Sequence, residues 1–363
     1  MRLEAESLRA QFEVLLEEGI TIVLDSRELS GVCGVNDQNL KVIAGRLGGR
    51  IHTRGNEISL SGVDEAGRDR FRAVIDSLVL AVREGEYPSA EYVEALAGVF
   101  IQDEAAPSGE GAARPGADGE GAVPPDKDGE AGSRSGRGLA DLRDNVIQIP
   151  QGFVKVFPRS RNQARYIEGM RGSDISFCVG PAGTGKTYLA IAEALRLVLS
   201  KKLRKLVLTR PVVEAGESLG YLPGDLAQKI NPYLRPLYDA MESLVPYEAI
   251  RHMEDVRAIE IAPLAYMRGR SLNDCVVILD EAQNTTREQM KMFLTRIGQG
   301  ARAVITGDTT QIDLPRRQDS GLLHALSLLA GVEGIHTAYL NTADVVRNPL
   351  IKKIIEAYDA EKK

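Results

Sequence analysis

The chain contains no tryptophan, and only 5% of its residues are aromatic, so it offers few rings on which nucleic-acid bases could stack. Its three cysteines, Cys33, Cys178 and Cys275, stand far apart. There is no Cys-x-x-Cys pair and no Cys/His cluster, which argues against a zinc site or a disulfide framework. Cys178 and Cys275 lie in apolar runs and read as small buried hydrophobes. The four histidines, His52, His252, His324 and His336, show no ligand spacing and read as structural or surface groups. No apolar run approaches the ~18 residues that cross a bilayer. The first twenty residues carry Glu4, Glu6, Glu13, Glu17 and Glu18 in place of a long apolar stretch, so no secretory signal is expected. Together these absences point to the cytoplasm. Basic charge is not in excess either: the net charge is −6, and any nucleic-acid binding would need local basic patches.

What is present is ordinary globular material. At 363 residues, 43% hydrophobic and 26% charged, the chain has apolar content for a sizeable core and a length that suits about two domains. One stretch divides it. From Asp103 to Gly138 the sequence is Gly, Ala, Pro and charge, with Val123 the only larger apolar residue, too little to offset the entropy of ordering. We read three parts: a small α+β domain over 1–102, a disordered Gly/Ala/Pro-rich linker over 103–138 and an α/β core over 139–363.

In the first part, Leu8, Phe12, Leu15 and Leu16 share one helical face, and Thr21–Leu24 reads as a strand. Asn39–Leu47 reads as a helix that ends at Gly48-Gly49. Arg50–Thr53 and Glu57–Leu60 flank a tight turn, as in a hairpin. Val63–Glu84 and Ser89–Ile101 read as helices. In the core, short apolar runs at Ile175–Val179, Lys205–Thr209, Val276–Leu279 and Ala303–Thr306 alternate with helical segments such as Thr187–Leu199. That pattern suits a parallel sheet with helices on both faces.

Gly180-Pro181-Ala182-Gly183-Thr184-Gly185-Lys186-Thr187 fits G-x-x-x-x-G-K-[ST] completely, after a strand and at the start of a helix. Glycines let the backbone wrap a phosphate, and the helix N-terminus adds positive potential. Lys186 would reach the β- and γ-phosphates and Thr187 would ligate Mg²⁺. The run Cys275–Leu279 then ends in Asp280 and Glu281: Asp280 would hold the metal ion through water, and Glu281 would activate the attacking water. A further strand ends in Thr306-Gly307-Asp308-Thr309-Thr310-Gln311, where Gln311 could orient that water or sense the γ-phosphate and Asp308 could support the metal site. Arg347 could supply positive charge to the transition state, with Arg210 as a weaker rival. Gln163 could read an adenine edge, and Tyr166 could pack on the base.

These strings, GPAGTGKTYLA, TRPVVEAGESLGYLPGD, VVILDEAQNTT, TGDTTQIDLP and DVVRNP, together resemble the PhoH family of ATPases from about Gln148 to Ala360. The stretch NLKVIAGRLGGRIHTRGNEISLSG resembles the KH-like domain of the family's bacterial branch. No GxxG loop lies between its helices; Gly45-Arg46-Leu47-Gly48 has the spacing but runs through a helix end. The resemblance implies a RecA-like P-loop NTPase core, ATP and Mg²⁺ as ligands, the catalytic roles given to Lys186, Glu281, Gln311 and Arg347, and a cytoplasmic protein. It also implies work on RNA, single-stranded or ribosomal, and association with an endoribonuclease of ribosome maturation. Arg159, Arg161 and Arg165; Lys201, Lys202, Arg204 and Lys205; Arg268 and Arg270; and Arg316 and Arg317 are the candidate phosphate contacts. Helicases with similar cores close ATP between two motor domains, and this chain has one. A homo-oligomeric ring, a hexamer in this reading, would supply the missing arginine from a neighbour. The expected activity is RNA-coupled ATP hydrolysis, and the alternative is a nucleotide-gated adaptor that recruits a nuclease and turns ATP over slowly.

Overall fold

The computed structural model describes residues 19–83, 85, 87–101, 145–211 and 226–345. The expected N-terminal helix through Leu8 and Phe12, the linker from Asp103 to Gly138, the stretch from Val212 to Asp225, and Arg347 lie outside the described residues. The chain divides into two compact units, Met1–Asp144 and Asn145–Lys363.

In the first unit, strands β1 (Gly19–Val23), β2 (Arg50–Arg54) and β3 (Glu57–Ser61) form an antiparallel sheet in the order β1-β3-β2. Among the described residues four helices accompany it: α1 (Ser26–Cys33), α2 (Gln38–Leu47), α3 (Glu65–Arg83) and α4 (Ala90–Ile101). Helix α1 is hard to read in the sequence because it is only eight residues long and its apolar face is Leu29, Val32 and Cys33 alone. A reciprocal cap fixes its start: Asp25 accepts from the Glu28 N–H at 2.7 Å and Glu28 accepts from the Asp25 N–H at 3.1 Å. The turn from α1 to α2 is Gly34-Val35-Asn36-Asp37, and Gly45–Leu47 lie inside α2. Ile58, Leu60, Phe71, Val74, Ile75 and Leu78 are buried at the centre of this unit.

The second unit is built on a six-stranded, wholly parallel sheet. A two-stranded antiparallel ribbon, β4 (Ile147–Gln148) with β5 (Lys155–Val156), precedes it. The sheet strands are β6 (Ile175–Val179), β7 (Lys205–Arg210), β8 (Ile259–Pro263), β9 (Cys275–Leu279), β10 (Arg302–Gly307) and β11 (Ile335–Tyr339), in the spatial order β11-β6-β10-β9-β7-β8. The four strands expected from the sequence are all there. The structure adds β8 and β11 at the two edges, where burial is broken and no continuous apolar run marks the strand.

Alternation along the inner strands sends side chains to two separate cores. Leu206, Leu208, Val276, Ile278 and Val304 join one core with Tyr166, Ile167 and Met170 of α5 (Arg161–Gly172) and Leu189, Ile191 and Leu195 of α6 (Lys186–Leu199). Helices α7 (Leu226–Glu242) and α8 (Tyr247–Asp255) add Leu237, Met241, Ile250 and Met253 to it. Phe177, Val207, Val277, Leu279, Ala303 and Ile305 point the other way. They pack with Met290 and Phe293 of α9 (Arg287–Leu294) and Leu322 and Ala325 of α10 (Gly321–Leu328). The sheet is therefore covered on both faces, and its carboxyl edge is the place left for ligands. Because β10 lies between β6 and β9, the loops after these three strands open beside one another.

Candidate active site

The loop after β6 leads into α6 with Gly183 and Gly185 at φ of 81° and 83°, a left-handed backbone that a side chain would strain. Thr184 braces the loop, its hydroxyl donating to the Pro181 carbonyl at 2.9 Å. Gly185 makes no side-chain cap for α6, so the first N–H groups of that helix face the loop. Lys186 folds back over the loop and donates from Nζ to the carbonyls of Gly180 (2.6 Å) and Pro181 (2.7 Å). Burial pushes its ammonium below the ordinary lysine range, against the pull of the carboxylates of Asp308, Glu281 and Asp280.

At the end of β9 the buried Asp280 receives two hydroxyls on one oxygen: Thr187 donates to Oδ1 at 2.6 Å and Thr306 of β10 donates to the same atom at 2.7 Å. Three elements thus meet on one carboxylate. The next residue, Glu281, adopts a left-handed backbone with φ 53°, a strained conformation for a residue with a side chain. One of its oxygens accepts from Gln283 Nε2, and the other lies 3.3 Å from Arg210 at the end of β7. Gln283 also accepts the Asp308 N–H on Oε1 at 3.0 Å, which ties the turn after β9 to the loop after β10. Asn284 and Asp313 repeat that tie in both directions, at 3.1 and 2.8 Å. Asp308 accepts from the Thr310 N–H and hydroxyl on Oδ1, while its Oδ2 is buried without a partner.

A pocket of about 260 Å³ lies among these groups, lined by Ala182, Gly183, Gly185, Lys186, Thr187, Asp280, Glu281, Asp308 and Gln311, with Tyr188 and Gly307. A larger groove of about 380 Å³ in the N-terminal unit, lined by Ser26, Leu29, Ser30, Cys33, Gly34 and Asp37 with Thr53, Gly55 and Asn56, gathers no comparable set of reactive groups. The candidate reactive groups gather at the smaller one.

The structure thus brings together Lys186, Thr187, Asp280, Glu281, Asp308 and Gln311, which lie far apart in the sequence. It places two others differently. Tyr166 is fully buried, with its hydroxyl donating to the Lys186 carbonyl at 3.3 Å, so its ring is not available to pack on a base. Gln163 is buried and internally bonded: Oε1 accepts the Arg159 N–H at 2.7 Å and Nε2 donates to the Thr184 carbonyl at 3.0 Å. In this structure it braces the phosphate loop and does not line the pocket. Sequence reasoning missed Thr306 and Gln283, whose polar side chains stand beside expected site residues; only the fold shows that they face inward.

The basic pairs also separate. Glu260 is held well below the usual carboxylate range, at about 2, by hydrogen bonds first from Arg270 and then from Lys205, with burial opposing. Arg270 meets it with a fork at 2.6 and 2.9 Å. Arg270 and Lys205 are therefore engaged, while Arg165, Lys201, Lys202, Arg204, Arg268, Arg316 and Arg317 are exposed.

A doubly covered parallel sheet with this loop, this acid pair and this strand order is a P-loop NTPase core. Residues 155–359 match the family described as PhoH-like protein. A PhoH-like protein of Mycobacterium tuberculosis is 42% identical over 330 residues, covering 90% of this chain and 84% of its own. One from Bacillus subtilis is 54% identical over 203 residues, 56% of this chain and 64% of its own. Protein PhoH of Escherichia coli is 40% identical over 205 residues, 56% and 58% of the two chains. The chain belongs to the PhoH family. No described helix is long and apolar enough to cross a membrane.

Proposed function

We propose that the core hydrolyses ATP to ADP and phosphate with Mg²⁺, and that this turnover is coupled to RNA. One observation carries the reading: Thr187 of the phosphate loop and Thr306 both donate to Asp280, with Glu281 next to it at the mouth of the same pocket. In the proposed reaction, Lys186 leaves the carbonyls of Gly180 and Pro181 for the β- and γ-phosphate oxygens. The glycine-rich backbone and the start of α6 hold the same phosphates. Glu281 accepts the proton of the attacking water, held in place by Gln283, and Gln311 at the pocket rim orients that water.

The residues fit a divalent ion. Thr187 and Asp280 are already bonded to each other, and the unpartnered buried Oδ2 of Asp308 offers a site for ordered water beside them. Among the described residues no group of three or more His, Cys, Asp or Glu could hold a metal ion. An ion here would complete its shell with water and substrate phosphate, the usual habit of Mg²⁺. Bound there, it would neutralise charge on the phosphates.

The RNA reading rests on the family resemblance and on the exposed cations of the core. We further propose that the chain works in the cytoplasm, where its three free buried cysteines stay reduced, as a ring of subunits, six in our reading. There it would work with an endoribonuclease of ribosome maturation. An arginine from a neighbouring subunit, Arg347 in our reading, would complete each site.

The test is steady-state ATP hydrolysis with and without single-stranded RNA, with Glu281→Gln as control. We expect RNA to raise turnover several-fold and the variant to lose about 10²–10⁴ of it. Turnover indifferent to RNA would favour the adaptor; a fully active variant would remove Glu281 from the role of base.

A further inference from the structure

Arg210 plays no part in the reaction as described, yet it touches the proposed base. Strand β7 lies beside β9, with Thr209 opposite Leu279, and the Asp280 N–H donates to the Thr209 carbonyl at 2.9 Å. Arg210 and Glu281 therefore leave adjacent strand ends at almost the same level. Their side chains meet at 3.3 Å. The Arg210 backbone is pinned, paired on its other side with Pro263 of β8 and followed by Pro211. What can move is the guanidinium.

Glu281 is thus gripped from two sides, by Arg210 on one oxygen and Gln283 on the other. The two grips differ. Gln283 is buried and fixed by the Asp308 N–H and by Ser320, whose hydroxyl donates to the Gln283 carbonyl at 2.8 Å. Arg210 is 22% exposed and Glu281 36%, so their pair lies near water, where ion pairs are weak and exchangeable. A guanidinium prefers a phosphate, which offers more charge and more acceptor oxygens than one carboxylate.

We propose that Arg210 is a positioning residue that restrains Glu281 until a phosphate group draws the guanidinium away. The restraint ties up one carboxylate oxygen when no ligand is engaged; release leaves the group held by Gln283, with that oxygen open to accept a proton. The proposal rests on the reading of Glu281 as the base. The phosphate comes either from the nucleotide or from a nucleic-acid backbone, and the two sources give different kinetics.

The experiment compares wild type, Arg210→Ala and Arg210→Lys for ATP turnover with and without an oligouridylate. If the nucleic acid is the trigger, Arg210→Ala raises turnover without RNA about two- to fivefold, the scale of a half-exposed ion pair. KM for ATP stays level and RNA adds nothing further. If the nucleotide is the trigger, Arg210→Ala raises KM, leaves kcat level, and RNA stimulates both proteins by the same factor. Arg210→Lys, which keeps the charge and loses the fork, falls between. Arg210→Ala lowering kcat equally with and without RNA, at unchanged KM, overturns the proposal.

A binding arm reads the same pair without turnover, so failure of the ATPase reading is seen separately. Fluorescence anisotropy with a labelled oligouridylate, and with a labelled non-hydrolysable ATP analogue, is measured for Glu281→Gln, Arg210→Ala and the double variant. Neutralising Glu281 should tighten one of the two probes when Arg210 is present and leave both unchanged when it is absent. The same effect in both backgrounds overturns the proposal.

Discussion

In the N-terminal unit the buried polar side chains work singly and for the fold. Glu28 closes the cap of α1 and accepts Arg83 Nε at 2.7 Å; Asn39 donates to the Pro88 carbonyl at 3.1 Å; Ser77 donates to the Ala73 carbonyl of its own helix. In the C-terminal unit many of them gather at one edge. Thr184, Asp280, Gln283, Asn284, Thr306 and Asp308 are all buried around the carboxyl ends of β6, β9 and β10. Both units bury apolar cores of the same ordinary kind. What separates them is whether polar groups scatter or converge, and convergence that leaves a lysine desolvated and a carboxylate oxygen unpartnered marks a candidate site.

The comparison can be sharpened by substitutions that should move activity in one unit and stability in the other. The largest effect belongs to Lys186→Ala. Turnover should fall by about 10²–10³, as when a donor aimed at developing charge is removed. Thermal stability should hold or rise, because burial works against the lysine's charge; a large drop in Tm with modest loss of turnover would break the comparison. Gln283→Ala comes next. It removes a hold on Glu281 and orphans the buried Asp308 N–H. We expect roughly tenfold slower turnover and a loss of about 1–3 kcal/mol in denaturant unfolding. Glu28→Gln in the N-terminal unit should cost about 1–2 kcal/mol and leave kcat untouched; altered kcat would link the cap of α1 to the site.

The smallest effect is a pH dependence. Glu260 is depressed to about 2 by Arg270 and then Lys205, so its pairing stabilises the fold above the ordinary glutamate range and is lost as pH falls toward 2. Wild type should exceed Glu260→Gln by about 2 °C in Tm near pH 6, with the gap closing between pH 4.5 and 2. A gap that persists at pH 2 would refute the pairing.

Much of this was legible in the sequence, for physical reasons. Strands buried on both faces, such as Cys275–Leu279, write continuous apolar runs, and the phosphate loop writes its glycines at fixed spacing. The edge strands β8 and β11 were not legible, because an edge tolerates Glu260, His336 and Tyr339 and leaves no run to read. Tyr166 was misread for a related reason: an aromatic near a site looks the same whether it faces the ligand or the core beneath it. Gln283 was invisible because its importance lies in spanning two loops brought together by the insertion of β10 between β6 and β9.

The folded-back Lys186 makes ligand binding an exchange. Its two hydrogen bonds to the Gly180 and Pro181 carbonyls must break before it can reach a phosphate, so the lysine gains only the difference between amide and phosphate acceptors. That difference grows with phosphate charge. Calorimetry should therefore show the lysine's share of the binding heat rising steeply from mono- to di- to triphosphate, a selectivity for chain length that belongs to the competitor inside the loop.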